Sequence, residues 1–456
     1  MATVPQNVKI NSKATTADLM NNIRSTASPA YQAAVPYVYM TVDGVRALGA
    51  GVMSTPDLKN EFLSALFNRI AIAVIKSKLY NMPWGFTKKG VLETGEFIEE
   101  IFVEICNPHQ YNSGDDIDFI KQEKPDVRAV LHSLNYQKYY KQTIKNRDLK
   151  LAFLSWDGVD NLIAKITDNM YTSANYDEFL AIKYMIGQAI LSGNIYSKSI
   201  GDVTTTENLE DAVAGVREIS NLMTFEGTEY NTAGVHNFTL RDDQYVFLSA
   251  NFDARTSVKV LAKAFNMSEA EFMGHVVLVD SFGRLDVNRL NLLFADDPNY
   301  AEPTDDDLQA LDAVPGVIVD IDWFMIYDNL LEFTEFFQPE KLYWNYYLHV
   351  WKTLSYSPFQ NAVVLTTAAA TVDTVTVNPT AVTISVGQGA QLTATVTGDN
   401  FPSGKVTWSS NESKNVTVDS TGYVNVVAKP SSGTATITAT SVLDTSKKGT
   451  CTVTIP

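Results

Sequence analysis

The chain has 456 residues, 45% of them hydrophobic and 19% charged, which makes it globular rather than disordered and long enough for about two or three domains. A formal net charge of −17 excludes non-specific attraction to phosphate backbones or anionic membranes, but not a container that encloses nucleic acid without binding it. No apolar stretch is long enough to cross a bilayer, and the first residues hold no apolar core of signal-peptide length, so a cytoplasmic protein with no membrane partner is expected.

Residues 1–54 are rich in Ala, Thr, Ser and Asn, with a short amphipathic piece at Asp18 to Arg24 followed by Gly44, Gly49 and Gly51, and they read as an extended arm. Thr55 is a good N-cap before Pro56, and Leu58, Phe62, Leu66, Phe67, Ile70 and Val74 then recur at helical spacing to about Lys78. After Asn81-Met82-Pro83 breaks this helix, Lys88-Lys89-Gly90 makes a basic turn. Phe97, Ile98, Ile101, Val103 and Ile105 then mix with Glu96, Glu99, Glu100 and Glu104 in a β-prone segment with an acidic side. A polar excursion from about residue 84 to 124 is long enough to be functional.

Residues 148–193 carry two helical stripes: Trp156, Val159, Ile163, Ile166 and Met170, then Phe179, Ile182, Met185, Ile186 and Ala189. Thr172-Ser173 reads as an interruption, with Asn175 and Glu178 as a capping box for the second half. Core packing is the reading for both stripes. Helices near Leu209 to Met223 and Val258 to Phe265 alternate with strands at Tyr245 to Ser249 and His275 to Asp280, an α+β pattern. Asp296 to Asp312, including Asp305 to Asp307, reads as a solvated acidic loop. Ile318 to Tyr327 and Leu342 to Leu354 return as strand-like, aromatic-rich segments, and Leu342 to Trp351 reads as a partly buried strand that packs a core and a subunit contact.

From Val372 to Pro456 apolar residues alternate with period two along short runs separated by turn formers, the pattern of a β-sandwich. Val377, Leu392, Val396, Trp408, Val418, Ile437 and Val453 are its expected core. Cys451 continues the inward series as a small hydrophobe, and Cys106 lies in a different domain, so a disulfide between them is not expected.

His109, His132, His236, His275 and His349 show no metal-ligand spacing, and phosphate-binding glycine loops, nucleophile elbows and dinucleotide fingerprints are missing from the sequence. No catalytic, cofactor-binding or metal residues are assigned, no cofactor is expected, and the protein is read as a structural one rather than an enzyme.

The stretches VTVNPTAVTISVGQGAQLTATV, VTWSSNESKNVTVDSTGYVNVVA and GTATITATS resemble the bacterial immunoglobulin-like group 2 domain. In the body, DLKNEFLSALFNRIAIAVI (Asp57 to Ile75), FTKKG (Phe86 to Gly90) and FIEEI (Phe97 to Ile101) resemble the major capsid proteins of picovirus-type tailed podophages. So do VKVLAKAFNMSEAEFMGHV (Val258 to Val276), DWFMIYDNL (Asp322 to Leu330) and LYWNYYLHVWKTLSYSPFQNAV (Leu342 to Val363). The resemblance implies the tailed-phage (Hong Kong type) major capsid fold, α+β, followed by an all-β immunoglobulin-like sandwich.

On that resemblance, residues 1–54 are the N-terminal arm and 55–365 the capsid body. Within the body the E-loop is about 80–124, the spine helices about 155–192, the axial domain about 200–316 and the peripheral strands 317–364. A linker at 366–371 leads to the immunoglobulin-like domain at 372–456. The implied function is self-assembly into an icosahedral or prolate shell around double-stranded DNA, which is enclosed without sequence-specific binding. A scaffolding protein and a portal are the implied partners, and the immunoglobulin-like domain faces outward with weak host-surface contact. Lys88, Lys89, Phe97, Ile98, Glu99, Glu100 and Ile101 are the candidate interface residues. Lys88 and Lys89 lie where some relatives of this fold place a cross-linking lysine, but nothing identifies an asparagine partner. The rival reading is an exported bacterial adhesin or carbohydrate-binding protein carrying the same C-terminal module.

Overall fold

The computed structural model describes residues 16–38, 41–76, 82–92, 97–106, 108, 125–145, 170–256, 275–298, 300–341 and 343–456. The described residues between 16 and 52 are mostly helical rather than extended, and 1–15 of the expected arm lie outside the described residues. The helices are α1 (Thr16–Thr26), α2 (Pro29–Ala34) and α3 (Val42–Val52), ahead of the expected α4 (Pro56–Lys76). Ser28 accepts a hydrogen bond from the Tyr31 amide, and Thr41 accepts one from Gly44, so two of the starts are capped. Met20, Ile23, Val45, Leu48 and Val52 recur at helical steps and are buried with Leu58, Phe62, Leu63 and Leu66. Small polar residues mask this sparse spacing in the sequence, and the core shared with α4 stabilises helices too short to hold alone. The side chains of Phe67, Ile70 and Val74 fall outside the described part.

Next come β1 (Lys88–Val91), β2 (Ile98–Val103), β3 (Val127–His132) and β4 (Tyr136–Lys145). β2 and β3 pair antiparallel as a two-stranded ribbon, so the returning limb of the excursion lies beyond residue 124. Helix α5 (Thr172–Leu191) takes in Thr172 and Ser173 as its first residues and begins ahead of Asn175, which is therefore not its cap. Glu178 turns instead into a buried ion cluster. Trp156, Val159, Ile163 and Ile166 of the first expected stripe, and the expected helix at Val258 to Phe265, lie outside the described residues.

After α5 follow β5 (Tyr196–Ser199), α6 (Thr206–Leu222), β6 (Gln244–Ser249), α7 (Ala250–Thr256), β7 (His275–Val279) and α8 (Val287–Phe294). The acidic stretch is not all loop: Asp305 to Asp307 are the first turn of α9 (Asp305–Asp312). Thr304 and Asp307 form a capping box there, and carboxylates are favoured at the positive end of the helix dipole.

β8 (Gly316–Asp320), β9 (Phe324–Gln338), β10 (Tyr343–Tyr356) and β11 (Ala362–Thr366) complete the body. One sheet has the order β1-β9-β10-β4 and the other β5-β11-β8-β6-β7. β8 and β11 are buried along their whole length, which is why Gly316 to Val319 and Ala362 to Leu365 read as continuous rather than alternating apolar runs. One core joins the N-terminal helices, α5 and the long sheet, and a second lies beneath α6.

The C-terminal module comprises β12 (Thr374–Asn378), β13 (Ala381–Thr383), β14 (Gly389–Gln391), β15 (Thr393–Thr397), β16 (Val406–Ser410), β17 (Val416–Val418), β18 (Tyr423–Val426), β19 (Thr434–Ser441) and β20 (Lys448–Thr454). Its sheets are β12-β15, β13-β20-β19-β16 and β14-β18-β17. Val377, Leu392, Ile437 and Val453 are buried in its core, with Val396, Trp408 and Val418 packed half-buried against them. Cys451 is buried, Cys106 is exposed, and both are free. The chain is thus an α+β body followed by an all-β immunoglobulin-like sandwich.

Candidate subunit interface

The β2–β3 ribbon presents two unlike faces, one turned to the body and one exposed. Ile98 lies opposite His132, Glu100 opposite Val130, and Phe102 opposite Arg128, and these side chains face the body. Phe102 stacks on Phe359 with ring centroids 5.5 Å apart. Glu100 accepts a 2.6 Å hydrogen bond from Ser357 Oγ, and its other oxygen lies 3.2 Å from His132 Nε2. His132 Nδ1 is in turn 2.7 Å from Ser355 Oγ. Arg128 donates to the Ala233 carbonyl and pairs with Asp126. At the ribbon's end Glu104 meets His236; partial burial would raise the Glu104 pKa, but the hydrogen bonds from His236 outweigh this and hold it below the usual carboxylate range.

The opposite parity is bare. Phe97, Ile101, Val103, Ile105, Val127 and Leu131 are each more than half exposed, and Glu99 is the one carboxylate among them. Isolated exposed apolar side chains need no explanation, but six on one face of a short ribbon form a patch of the kind that marks a contact surface.

Of the residues nominated from sequence, Phe97, Glu99 and Ile101 lie on this outer face, whereas Ile98 and Glu100 turn to their own body. Lys88 and Lys89 belong to β1 and pair with carboxylates of their own body. Lys88 Nζ lies 2.7 Å from Glu178 and 3.3 Å from Asp328, and Lys352 binds the same two carboxylates. Burial would lower the Lys88 pKa, but Glu178 and Asp328 overcome it and raise it. Lys89 pairs with Asp322. Val127 and Leu131, absent from the nominated residues, share the outer parity of β3, but the inward Val130 is apolar too, so alternation alone does not separate the two faces.

Away from the ribbon, α5 is fixed to the body by buried ion pairs. α5 carries Asp177, Glu178 and Lys183, all buried and all paired: Asp177 with Arg289 at 2.7 and 2.8 Å, and Lys183 with Asp280 at 2.5 Å. Among the described residues no cluster of three or more His, Cys, Asp or Glu is placed to hold a metal ion, and no helix is long and apolar enough to cross a membrane.

Residues 20–366 match the family described as Phi29-like phage major capsid protein, and residues 371–453 match the bacterial Ig-like domain (group 2). The major capsid protein of Bacillus phage B103 is 32% identical over 418 residues, covering 90% of this chain and 87% of that relative. That of Bacillus phage PZA is 32% identical over 397 residues, covering 86% and 82%. Among solved structures, the capsid of Staphylococcus phage Andhra aligns with a TM-score of 0.47 at 17% identity, over 64% of this chain and 87% of that one. These sequence matches place the protein among the shell-forming proteins of tailed phages, not the exported adhesins. The chain belongs to the Phi29-like phage major capsid protein family: it is a major capsid protein that self-associates in the virion shell.

Proposed function

We propose that copies of this chain join through the outer face of the β2–β3 ribbon, each seating its patch on a neighbouring subunit, to close an icosahedral or prolate shell around double-stranded DNA. The observation that carries this reading is the division of the ribbon: Phe102, Glu100 and His132 tie one face to the body, and Ile101, Val103, Val127 and Leu131 on the other face have no cover within the described residues. Burying six such side chains is worth on the order of 10 kcal/mol in gross transfer free energy, against an association cost of about 4–15 kcal/mol. One contact alone is near break-even, so stability comes from closing many copies at once.

The net charge of −17 suits an enclosure held away from its contents rather than a DNA-binding surface. In this reading the protein is structural and not an enzyme, a scaffolding protein and a portal are its assembly partners, and the immunoglobulin-like module faces outward with weak host-surface contact. The test is Ile101→Asp and Leu131→Asp in the full chain, followed by sedimentation and electron microscopy. Folded subunits that form no shells are expected, and closed shells at the wild-type yield would overturn the proposal.

A further inference from the structure

The connection between body and module is shorter and less free than its Thr/Ala composition suggests. β11 runs through Thr366, whose hydroxyl donates to the Ala368 carbonyl, and at the other end the Thr371 amide donates to Asp399. The loop from Asp399 to Lys405 then returns to the body. Asn400 Nδ2 donates to the Ala369 carbonyl at 3.1 Å, and Ser197 Oγ of β5 donates to the Asn400 carbonyl at 2.9 Å. The Gly404 amide donates to the Gly193 carbonyl at 2.9 Å, just past the C-terminus of α5, and Lys405 Nζ donates to the Thr228 carbonyl at 2.7 Å. Phe401 packs against the main core of the body.

Two further features point the same way. Asn400 and Phe401 both adopt left-handed backbone, with φ of 58° and 59°. That conformation is uncommon for a bulky residue such as Phe, and it persists where surrounding contacts over-determine it. Gly193 has φ +68°, and a Cβ there would lie 2.5 Å from the Pro402 carbonyl oxygen and 2.7 Å from the Gly404 nitrogen, so the loop approaches the helix end more closely than any side chain allows. Beside the loop the two domains separate around a crevice of about 450 Å³ lined by Leu191, Ala310, Val314 and Thr397. The attachment in this region is therefore concentrated in the loop.

From this geometry we infer that the Asp399 to Lys405 loop is a docking latch, whose partner is the end of α5 and the β5 edge of the same chain. The immunoglobulin-like module is held in one orientation and braces the body. It is not a display domain swinging on a tether.

The test places spin labels through Ala214→Cys on α6 and Thr417→Cys on β17 of the full chain, in a Cys106→Ser background that removes the exposed thiol. Pulsed electron–electron resonance should give one narrow distance distribution, which Phe401→Asp should broaden. Should Phe401→Asp fail to fold, Ser197→Ala combined with Lys405→Ala removes two of the latch hydrogen bonds and should broaden it instead. A broad distribution in the parent chain overturns the latch, and so does a narrow one that survives the loop variants.

Discussion

Glu178 on α5 and Lys352 on β10 form a 3.1 Å ion pair with side chains only 3% and 6% exposed, and the same pair of carboxylates, Glu178 and Asp328, also holds Lys88 from β1. Two cations and two anions, neutral as a group, thus bind α5 to the long sheet. The Coulomb gain of such a cluster is largely cancelled by desolvation, so its main demand is that no member be lost alone.

Glu178→Ala should therefore cost about 3–5 kcal/mol, because it leaves the buried Lys352 and the partly buried Lys88 facing a single carboxylate. Urea denaturation of the unassembled subunit measures this. A loss below about 1 kcal/mol, the size expected of an exposed pair, would show that the cluster is hydrated.

Burial alone would raise the pKa of Asp328, but Lys352 and Lys88 outweigh it and hold the carboxyl below the ordinary range. With the folded-state pKa depressed, the unfolded chain binds the proton more tightly, so the stabilisation is complete above the unfolded value of about 4. It is lost as pH falls through the lower, folded value. Asp328→Asn should lower stability at neutral pH and flatten the acid limb, seen as urea midpoints that change less than wild type between about pH 6 and about pH 3. Parallel pH profiles for the two proteins would rule this carboxylate out as a source of the acid sensitivity.

Glu99 and Glu100 should behave differently although they are adjacent. Glu99→Lys changes the outer face and should leave subunit stability within about 0.5 kcal/mol while weakening shell formation, more so at low salt. Glu100→Lys removes the acceptor for Ser357 and His132 and places a cation against Arg128's face of the ribbon. It should raise hydrogen exchange across Ile98 to Val103 and Val127 to His132. Identical exchange in the two variants would mean that the inner face does not hold the ribbon.

Thr304→Ala breaks the capping box at the start of α9 and should cost about 1 kcal/mol, read from the thermal midpoint of the subunit. No change would show that Asp305 to Asp307 satisfy the helix end without the cap.

Local pattern alone sufficed for the C-terminal sandwich, where Val377, Ile437 and Val453 alternate with solvated threonines along strands that bury one face each. It sufficed also for α6, whose apolar residues recur at helical spacing, and for β6 and the aromatic β10, which read as apolar and aromatic runs. The sequence words also carried the family. What local pattern could not supply was the destination of side chains whose partners lie far along the chain. Glu100 meets Ser357 across 257 positions, and Lys88 meets Asp328 across 240, so no window of sequence distinguishes the inward carboxylate from the outward one or a paired lysine from a displayed one. Of the helices at Thr16 to Val52 only the amphipathic piece at Asp18 to Arg24 is legible in the sequence, because the few apolar residues of the others become a stripe only against α4. Periodicity says which residues share a face, and only the packed neighbour says which face is inside.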